Sequence, residues 1–211
     1  MFKKTIIAYI FLVSFSMIAV VSCNLTDNDC GPFDEKFKTF EFNTNLKNIS
    51  ISDNPSLNLQ YNTLESDTIG FDKFALAMFP IGESYSLNSE QLNSFSLLPS
   101  AFACSPPIAI SEEIITDIDI FSNRSFNSEY TSTENIAELF EIVVLYRNSG
   151  YQRSNLNEFL SSEPNVPDEI FLVLKSAPET TEPIQFTVKY SQDGIDMDSY
   201  EFTTVTIVIT N

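Results

Sequence analysis

The chain has 211 residues, of which 29 are acidic and 11 basic, so its formal net charge is -18 at pH 7. It contains no histidine, which excludes a Ser-His-Asp triad, a Cys-His dyad and a histidine-ligated zinc ion. The acidic balance argues against nucleic acid as a partner, because neutralising phosphates takes Lys and Arg. The hydrophobic share of 43% is typical of a folded domain rather than of a disordered acidic tail.

The chain begins with a pattern typical of a targeting segment. Two lysines precede an apolar run from Thr5 to Val21, and the small Ser22 stands before Cys23. An uncleaved membrane anchor, or a secretory signal followed by an incidental thiol, would be the alternatives. The run Val20-Val21-Ser22-Cys23 resembles a bacterial lipoprotein signal. This resemblance implies that residues 1–22 are removed and that Cys23 is lipidated, and more than one acyl chain gives stable anchoring.

Residues 23–34 are polar and acidic, and we predict that they form a short tether. Removing residues 1–22 takes away two lysines and no acid, so electrostatics would repel the mature chain from anionic lipid. We therefore expect the lipid on Cys23 to hold the protein at the outer membrane or cell surface, with its domain in the periplasm or outside the cell.

Short segments of alternating hydrophobic and polar residues follow the tether, and they predict half-buried strands. The first two lie at 49–51 and 57–61. A longer strand is predicted at 69–79. One of its faces carries Phe74, Leu76 and Met78, and the other carries Phe71, Ala75, Ala77 and Phe79. Residues 80–113 are predicted to form a long loop rich in Ser and Pro, and loops of that length are usually functional or pinned.

In the second half of the chain, alternation places Ile114, Ile118 and Ile120 on one face, with Asp117 and Asp119 pointing the opposite way. Continuous apolar runs at 141–147 and 170–175 are typical of central strands. Capping signals at Thr131 and Asn155 predict two short helices, which would connect strands.

The C-terminal segment is predicted to form a hairpin around Asp193-Gly194. We expect five of its side chains to face the core, namely Phe186, Val188, Val205, Ile207 and Ile209. A change of parity near Thr203 and Thr204 predicts a β-bulge. These patterns together predict an all-β fold: a single antiparallel β-sandwich of the Ig-like or Greek-key type over 35–211, with one or two short connecting helices.

Several segments together resemble a known family. They are the lipidation site, a second cysteine close behind it at Cys30, the run Ala103-Cys104-Ser105-Pro106-Pro107, residues 114–127 and the ending 186–209. In these segments the chain is similar to small lipoproteins of Bacteroidota that form a family with a domain of unknown function. The resemblance covers most of the mature chain, and it implies location and topology but no catalytic residue.

The three cysteines predict a disulfide bond. Once Cys23 carries lipid, Cys30 and Cys104 are the two thiols left, and the compartment beyond the inner membrane is oxidising. A Cys30–Cys104 bond would pin the long loop to the tether. The alternative is that both cysteines are buried and unpaired.

Two groups of acidic residues are candidate chemical sites. Glu112, Glu113, Asp117 and Asp119 would be the acids of a carboxylate-only hydrolase, but alternation predicts that the two aspartates face solvent. Three acids around Gly194, namely Asp193, Asp196 and Asp198, offer oxygen ligands to calcium but lack the EF-hand spacing, so a polar turn is favoured. We predict neither a metal nor another cofactor.

The remaining candidates concern binding and modification. For Arg147 and Arg153, ordinary salt bridges are favoured over anion binding. Four tyrosines near loops are candidates for a binding surface, namely Tyr85, Tyr130, Tyr146 and Tyr151. Asp67-Thr68-Ile69 resembles the acceptor motif for O-linked glycans in Bacteroidota, which makes Thr68 a candidate glycosylation site.

These observations favour a non-enzymatic, membrane-anchored lipoprotein that serves in binding or assembly with a protein or glycan partner. An accessory glycan-binding lipoprotein is the alternative, and a hydrolase that uses carboxylates alone is the third hypothesis. An aromatic strip would favour the glycan-binding protein, whereas two buried, facing carboxylates would favour the hydrolase.

Overall fold

The computed structural model describes most of the predicted domain, and the described residues are 36–52, 58–85, 109–147 and 149–211. The predictions for the leader at 1–22, the tether at 23–34, and Cys23, Cys30 and Cys104 lie outside the described residues. Among the described residues, no helix has the length and apolarity needed to cross a membrane.

Twelve strands make up most of the described chain. In chain order they are β1 (Lys36–Ser52), β2 (Asn58–Thr63), β3 (Thr68–Gly70), β4 (Phe74–Tyr85), β5 (Ile110–Ser111), β6 (Ile114–Ser122), β7 (Phe140–Tyr146), β8 (Gly150–Asn155), β9 (Glu169–Leu174), β10 (Phe186–Asp193), β11 (Ser199–Thr203) and β12 (Val208–Thr210). One short helix, α1 (Leu156–Ser161), and 3-10 turns at Phe71–Lys73 and Ala137–Leu139 connect them.

The strands form two main sheets. A seven-stranded sheet has the order β2-β1-β4-β9-β7-β8, with β5 paired beside β1, and a three-stranded sheet has the order β11-β10-β6. Strands β3 and β12 form a separate parallel pair. Apart from that pair and the β1–β5 pair, neighbouring strands are antiparallel.

One hydrophobic core joins the two sheets. The larger sheet contributes Phe42, Leu46, Phe74, Leu76, Met78, Phe140, Ile142, Ile170 and Leu172. The smaller sheet contributes Ile118, Ile120, Phe186, Val188 and Tyr190. Because every second side chain of a strand points to the same face, two sheets that share a core must each turn one face inward. The fold is therefore all-β and sandwich-like, as the alternation predicts.

The predicted long strand at 69–79 divides into β3, a 3-10 turn and β4. The two faces of β4 are as predicted, because Phe74, Leu76 and Met78 lie in the shared core while Ala75, Ala77 and Phe79 lie in a second cluster on the other face. The predicted face of Phe71 is wrong. It packs against the shared core, because the 3-10 turn interrupts the period of two before β4 begins.

Strand β6 contains a bulge that the sequence pattern did not reveal. In its pairing with β10, Asp117 lies opposite Ser191 and Ile115 lies opposite Gln192, so Thr116 has no partner. The extra residue reverses the parity, and Ile115 rather than Ile114 joins Ile118 and Ile120 in the core. The outward direction predicted for Asp117 and Asp119 is confirmed, because the bulge precedes them.

The C-terminal segment confirms four of the five expected core positions. Phe186, Val188, Ile207 and Ile209 are buried, but the prediction for Val205 is wrong, because this side chain is 72% exposed. The chain leaves β11 after Thr203 and starts a new pairing with β3 at Val208, so no bulged strand continues through this region.

The two helix predictions have different outcomes. Asn155 caps α1, where its side chain accepts a hydrogen bond of 3.1 Å from the Asn157 backbone N–H. Near Thr131, the Glu134 carboxylate accepts a hydrogen bond from the Thr131 N–H as a capping box requires, but the helix itself is reduced to the 3-10 turn at Ala137–Leu139. Strand β7 begins at Phe140 and leaves no room for further turns.

Candidate functional site

Glu113 is a buried carboxylate, with 2% of its surface exposed. It accepts hydrogen bonds from the Thr39 N–H at 2.7 Å, the Ile195 N–H at 3.1 Å and the Ser111 hydroxyl at 3.3 Å. Both of its oxygens are therefore occupied, and they join β1 and the β5–β6 corner to the β10–β11 turn. Buried carboxylates need such partners, so the arrangement identifies Glu113 as a structural link.

The other acids of the predicted hydrolase have separate surroundings. Glu112 forms an ion pair with Lys36. Asp119 lies beside Asp117 and accepts a hydrogen bond from the Asn135 amide. Burial raises the pKa of Asp119 above its ordinary value, and the negative charge of Asp117 adds to this shift. Two buried, facing carboxylates are thus not formed by this group.

The acids of the β10–β11 turn take part in ordinary contacts. Lys38 bridges Asp196 at 2.7 Å and Glu83 at 3.0 Å, and hydrogen bonds to these two carboxylates raise the pKa of Lys38 to about 12. The Asp198 carbonyl accepts a hydrogen bond from the Gln192 N–H across the turn. Within the described part of the chain, no three acidic or cysteine side chains are grouped as a metal ion requires.

The arginine predictions are confirmed as salt bridges. Arg147 contacts Asp168 at 2.8 Å, and Arg153 contacts Glu141 at 2.5 Å. Both pairs lie at the end of the larger sheet that β7 and β8 form. Their guanidinium groups already face carboxylates, so these residues do not supply a free anion site.

The outer face of the larger sheet carries a tyrosine bridge, which we define as Tyr61, Tyr151 and Glu169. Tyr61 on β2 and Tyr151 on β8 start from opposite edges of the sheet, and their hydroxyls donate to the two oxygens of Glu169 at 3.2 and 3.0 Å. Phe171 packs beneath both rings, with centroid distances of 4.9 and 6.4 Å. Burial raises the pKa of both tyrosines, and the Glu169 charge raises it further, so both hydroxyls stay protonated.

Sequence reasoning identified one member of this bridge, Tyr151, and missed Tyr61 and Glu169. Of the other selected tyrosines, Tyr130 and Tyr146 pack against the core, and the Tyr146 hydroxyl donates to the Asn165 carbonyl at 3.0 Å. Tyr85 lies at the end of β4 and is partly buried. The selected tyrosines therefore do not form one surface.

A cleft of about 470 Å³ opens at the edge of the sandwich, and we call it the edge cleft. Its lining comes from three segments that are remote in the sequence: residues 44–46 of β1, residues 63–67 from the end of β2 onward, and residues 202–207 from the end of β11 toward β12. Leu46, Thr204 and Ile207 are buried at its base. The volume lies within the range of about 300–1,000 Å³ that is usual for small-molecule sites.

Hydrogen bonds hold the walls of the edge cleft in place. The Leu64 N–H donates to the Leu46 carbonyl, and the Val208 N–H donates to the Asp67 carbonyl at 2.7 Å. The Thr204 hydroxyl accepts from the Phe186 N–H at 3.0 Å, which turns the chain inward and explains why Val205 points out. These hydrogen bonds fix the lining segments to one another, and a preorganised site lowers the entropy cost of binding.

Thr68 lies just beyond Asp67, at the start of β3. Its side chain is exposed, and its hydroxyl donates to the Asp67 carboxylate at 3.3 Å. Glycosylation of Thr68 stays a prediction.

No family model matches this chain, and neither a curated protein nor a solved structure does. Among the described residues, the edge cleft is a concave feature whose volume suits a small-molecule ligand.

Proposed function

We propose that the protein is a non-enzymatic lipoprotein, anchored by lipid at Cys23, that binds a ligand or partner in its edge cleft. The observation that carries the proposal is the cleft itself, because its walls are fixed by hydrogen bonds and its volume suits a small molecule or the end of a larger one. The lipoprotein-like leader supports the anchor.

The location follows from the same leader. An acidic mature chain is repelled by anionic lipid, so a covalent lipid would hold it at the outer membrane or the cell surface. The domain would then face the periplasm or the exterior. The resemblance to Bacteroidota lipoproteins of unknown function agrees with this location.

The distribution of carboxylates favours binding over hydrolysis. Glu113 is occupied by its three donors, as described above. Glu65 and Asp67 do line the edge cleft, but they lie two residues apart on a single wall. Hydrolysis of a glycosidic bond requires two carboxylates that flank the bond from different sides.

An accessory glycan-binding lipoprotein is the second candidate. Hydroxyl-bearing side chains recur along the edge cleft, where they alternate with apolar ones. Such a mixed lining suits ligands that combine hydroxyl groups with apolar patches.

Cell fractionation and mass spectrometry test the anchor. We expect Cys23→Ala to move the protein out of the membrane fraction or to block its maturation, because the acyl chains would be missing. Cys30→Ala is the matched control and should stay with the membrane. An unacylated Cys23 thiol in the wild-type protein would refute the anchor.

Thermal shift screening tests binding in the edge cleft. A library of saccharides, amines and short peptides would be measured against the wild-type protein, Thr206→Arg and Thr133→Arg. Thr206 lines the cleft, whereas Thr133 is an exposed threonine elsewhere. Thr133→Arg therefore controls for the general effect of adding an arginine to the surface. We expect a ligand that stabilises the wild type and Thr133→Arg but not Thr206→Arg. The proposal fails if no compound distinguishes the two variants.

A further inference from the structure

One aromatic ring lines the edge cleft. Phe202, on the β11 wall, is half-buried and lies with its centroid 6.2 Å from that of Tyr200. The Tyr200 hydroxyl donates to the Phe42 carbonyl at 3.0 Å, which fixes Tyr200 and so limits the positions open to Phe202. Leu46 and Ile207 lie at the base of the same cleft. A ligand therefore meets an aromatic ring and an apolar floor.

The polar side chains around this floor carry hydroxyls, carboxylates and the amide of Asn45, whose buried oxygen has no hydrogen-bond partner within the described structure. The hydroxyl of Thr204 is already engaged with the backbone, and that of Thr203 pairs with Thr187 at 3.0 Å. Thr44, Thr206 and Ser66 also line the cleft with hydroxyls, and a hydroxyl can both donate and accept. The carboxylates of Glu65 and Asp67 accept hydrogen bonds.

The charge of the lining disfavours anionic ligands. Among the described residues, no lysine or arginine lines the edge cleft, whereas Glu65 and Asp67 do. Lys47 comes close, since its ammonium group donates to the Thr63 hydroxyl at 3.3 Å, but it lies over the rings of Tyr61 and Phe79 on the outer face of the sheet. A phosphate, sulfate or carboxylate ligand would lose water beside two carboxylates without gaining a cation.

An organic cation is less well suited than a neutral ligand. Glu65 and Asp67 are both exposed, so solvent screens their attraction for a cation, but their oxygens can still accept hydrogen bonds from sugar hydroxyls. The rest of the lining offers hydroxyls, the neutral amide of Asn45 and carbon surface instead. Saccharides have this combination, because a sugar ring has an apolar face as well as hydroxyl groups that donate to carboxylates.

We infer that the edge cleft binds a neutral saccharide, with the apolar face of a sugar ring against Phe202 and sugar hydroxyls bound to Glu65 and Asp67. This inference rests on the proposed binding function of the cleft, and it adds the class of ligand. It also specifies which wall recognises which part of the sugar.

Saturation-transfer NMR on the lipidated, full-length mature protein in phosphatidylcholine nanodiscs tests the inference. The neutral probes are maltose, cellobiose, lactose and chitobiose, the anionic probe is glucuronate, and the cationic probe is butyltrimethylammonium. We expect saturation transfer to at least one neutral disaccharide, and at least about tenfold weaker binding of glucuronate, because no cation compensates its charge.

Two substitutions of one residue separate stacking from packing. Phe202→Leu keeps an apolar side chain against the core but removes the ring, so we expect binding of the neutral sugar to fall by about three- to tenfold. Phe202→Tyr keeps the ring and should retain binding. Asp67→Ala should weaken binding of the sugar as well, because a sugar hydroxyl loses its acceptor.

The outcomes distinguish the inference from the function on which it rests. Preferred binding of glucuronate or of the ammonium probe, or unchanged sugar binding in Phe202→Leu, would overturn the saccharide inference and leave the cleft as a binding site. A cleft that binds none of these probes would overturn the inference, and the thermal shift screen would then decide the broader function. Release of monosaccharides from the disaccharides would instead contradict a non-enzymatic role.

Discussion

At the scale of single residues, Glu113 shows how an acidic protein uses one carboxylate inside its fold. Most of its acids are exposed, but Glu113 is buried and accepts two backbone N–H groups and one hydroxyl. The two N–H groups belong to Thr39 and Ile195, which lie far apart in the chain. Removing the carboxylate would leave both without an acceptor in a buried place.

We predict that Glu113→Ala lowers the free energy of unfolding by about 3 kcal/mol, because two buried N–H groups lose their acceptor. Chemical denaturation measures the change. Glu112→Ala is the matched control, since the adjacent acid makes an exposed ion pair with Lys36, and its cost should stay below about 1 kcal/mol. Equal costs for the two variants would contradict the structural role of Glu113.

Asp117 and Asp119 provide a pH-dependent prediction. The pKa of Asp119 in the folded protein lies above its ordinary value of 3.8, first because of burial and second because of Asp117. The folded state therefore holds its proton to a higher pH than the unfolded state does. The contribution of Asp119 to stability is thus present at low pH and is lost as the pH rises through the raised pKa.

We predict that Asp117→Asn stabilises the protein at pH 7 by a few tenths of a kcal/mol, because it removes a like charge beside Asp119. The gain should vanish below pH 3.8, where most of the Asp119 carboxyl is protonated, because its pKa is raised, and no longer repels residue 117. Denaturation curves at the two pH values measure it, with Glu41→Gln as a control for the general loss of one negative charge. A gain that is the same at both pH values would contradict the explanation.

At the scale of elements, the segment between β11 and β12 buries one aliphatic side chain and exposes another. Ile207 is 1% exposed, whereas Val205, two residues earlier, is 72% exposed. The Ile207 backbone pairs with Ile184, with hydrogen bonds of 2.8 and 2.9 Å, and this pairing draws Ile207 into the core. A strict alternation would give both side chains the same face, so the difference arises from the turn at Thr204.

We predict that Ile207→Ala lowers the free energy of unfolding by about 2–5 kcal/mol, through lost burial and the cavity that remains. Val205→Ala should change it by less than about 0.5 kcal/mol, because an exposed side chain loses little on truncation. Thermal and chemical denaturation measure both variants. Wild-type stability of Ile207→Ala would contradict its place in the core.

At the scale of the whole molecule, the predicted lipid anchor and disulfide bond concern how the domain is held. Both depend on cysteines outside the described residues. The described domain has its own core across two sheets, so the bond would add to an existing fold. It would close a loop of roughly 74 residues between Cys30 and Cys104, and constraining a loop of that length stabilises a domain by about 2–4 kcal/mol.

We predict that peptide mapping of the exported protein without reductant recovers Cys30 and Cys104 in one linked pair. Reduction should then lower the midpoint temperature of thermal unfolding, because the unfolded chain regains the conformational entropy that the disulfide bond removes. Cys104→Ser should give the same lower midpoint with and without reductant. Recovery of a free Cys104 thiol from exported protein would refute the bond.

Much of the architecture was determined by the sequence itself. Alternation identified the two faces of β4, the core positions Phe186 and Val188, and the outward Asp117 and Asp119. Continuous apolar runs identified β7 and β9 as inner strands. These predictions succeed because side-chain direction repeats every two residues along a strand. A strand with one buried face therefore shows alternating apolar and polar residues in its own sequence.

Tertiary structure decided what depends on register and on remote contacts. The bulge in β6 exchanged Ile114 for Ile115 in the core, because pairing with β10 determines where an extra residue fits. The tyrosine bridge joins both edges of one sheet, and Glu113 joins segments about 80 residues apart in the chain. The edge cleft is formed by residues 44–46, 63–67 and 202–207. The sequence pattern within each segment does not predict that the three segments meet. The sequence therefore determined which side chains are buried along most strands, whereas the packing of remote segments decided where a ligand site is formed.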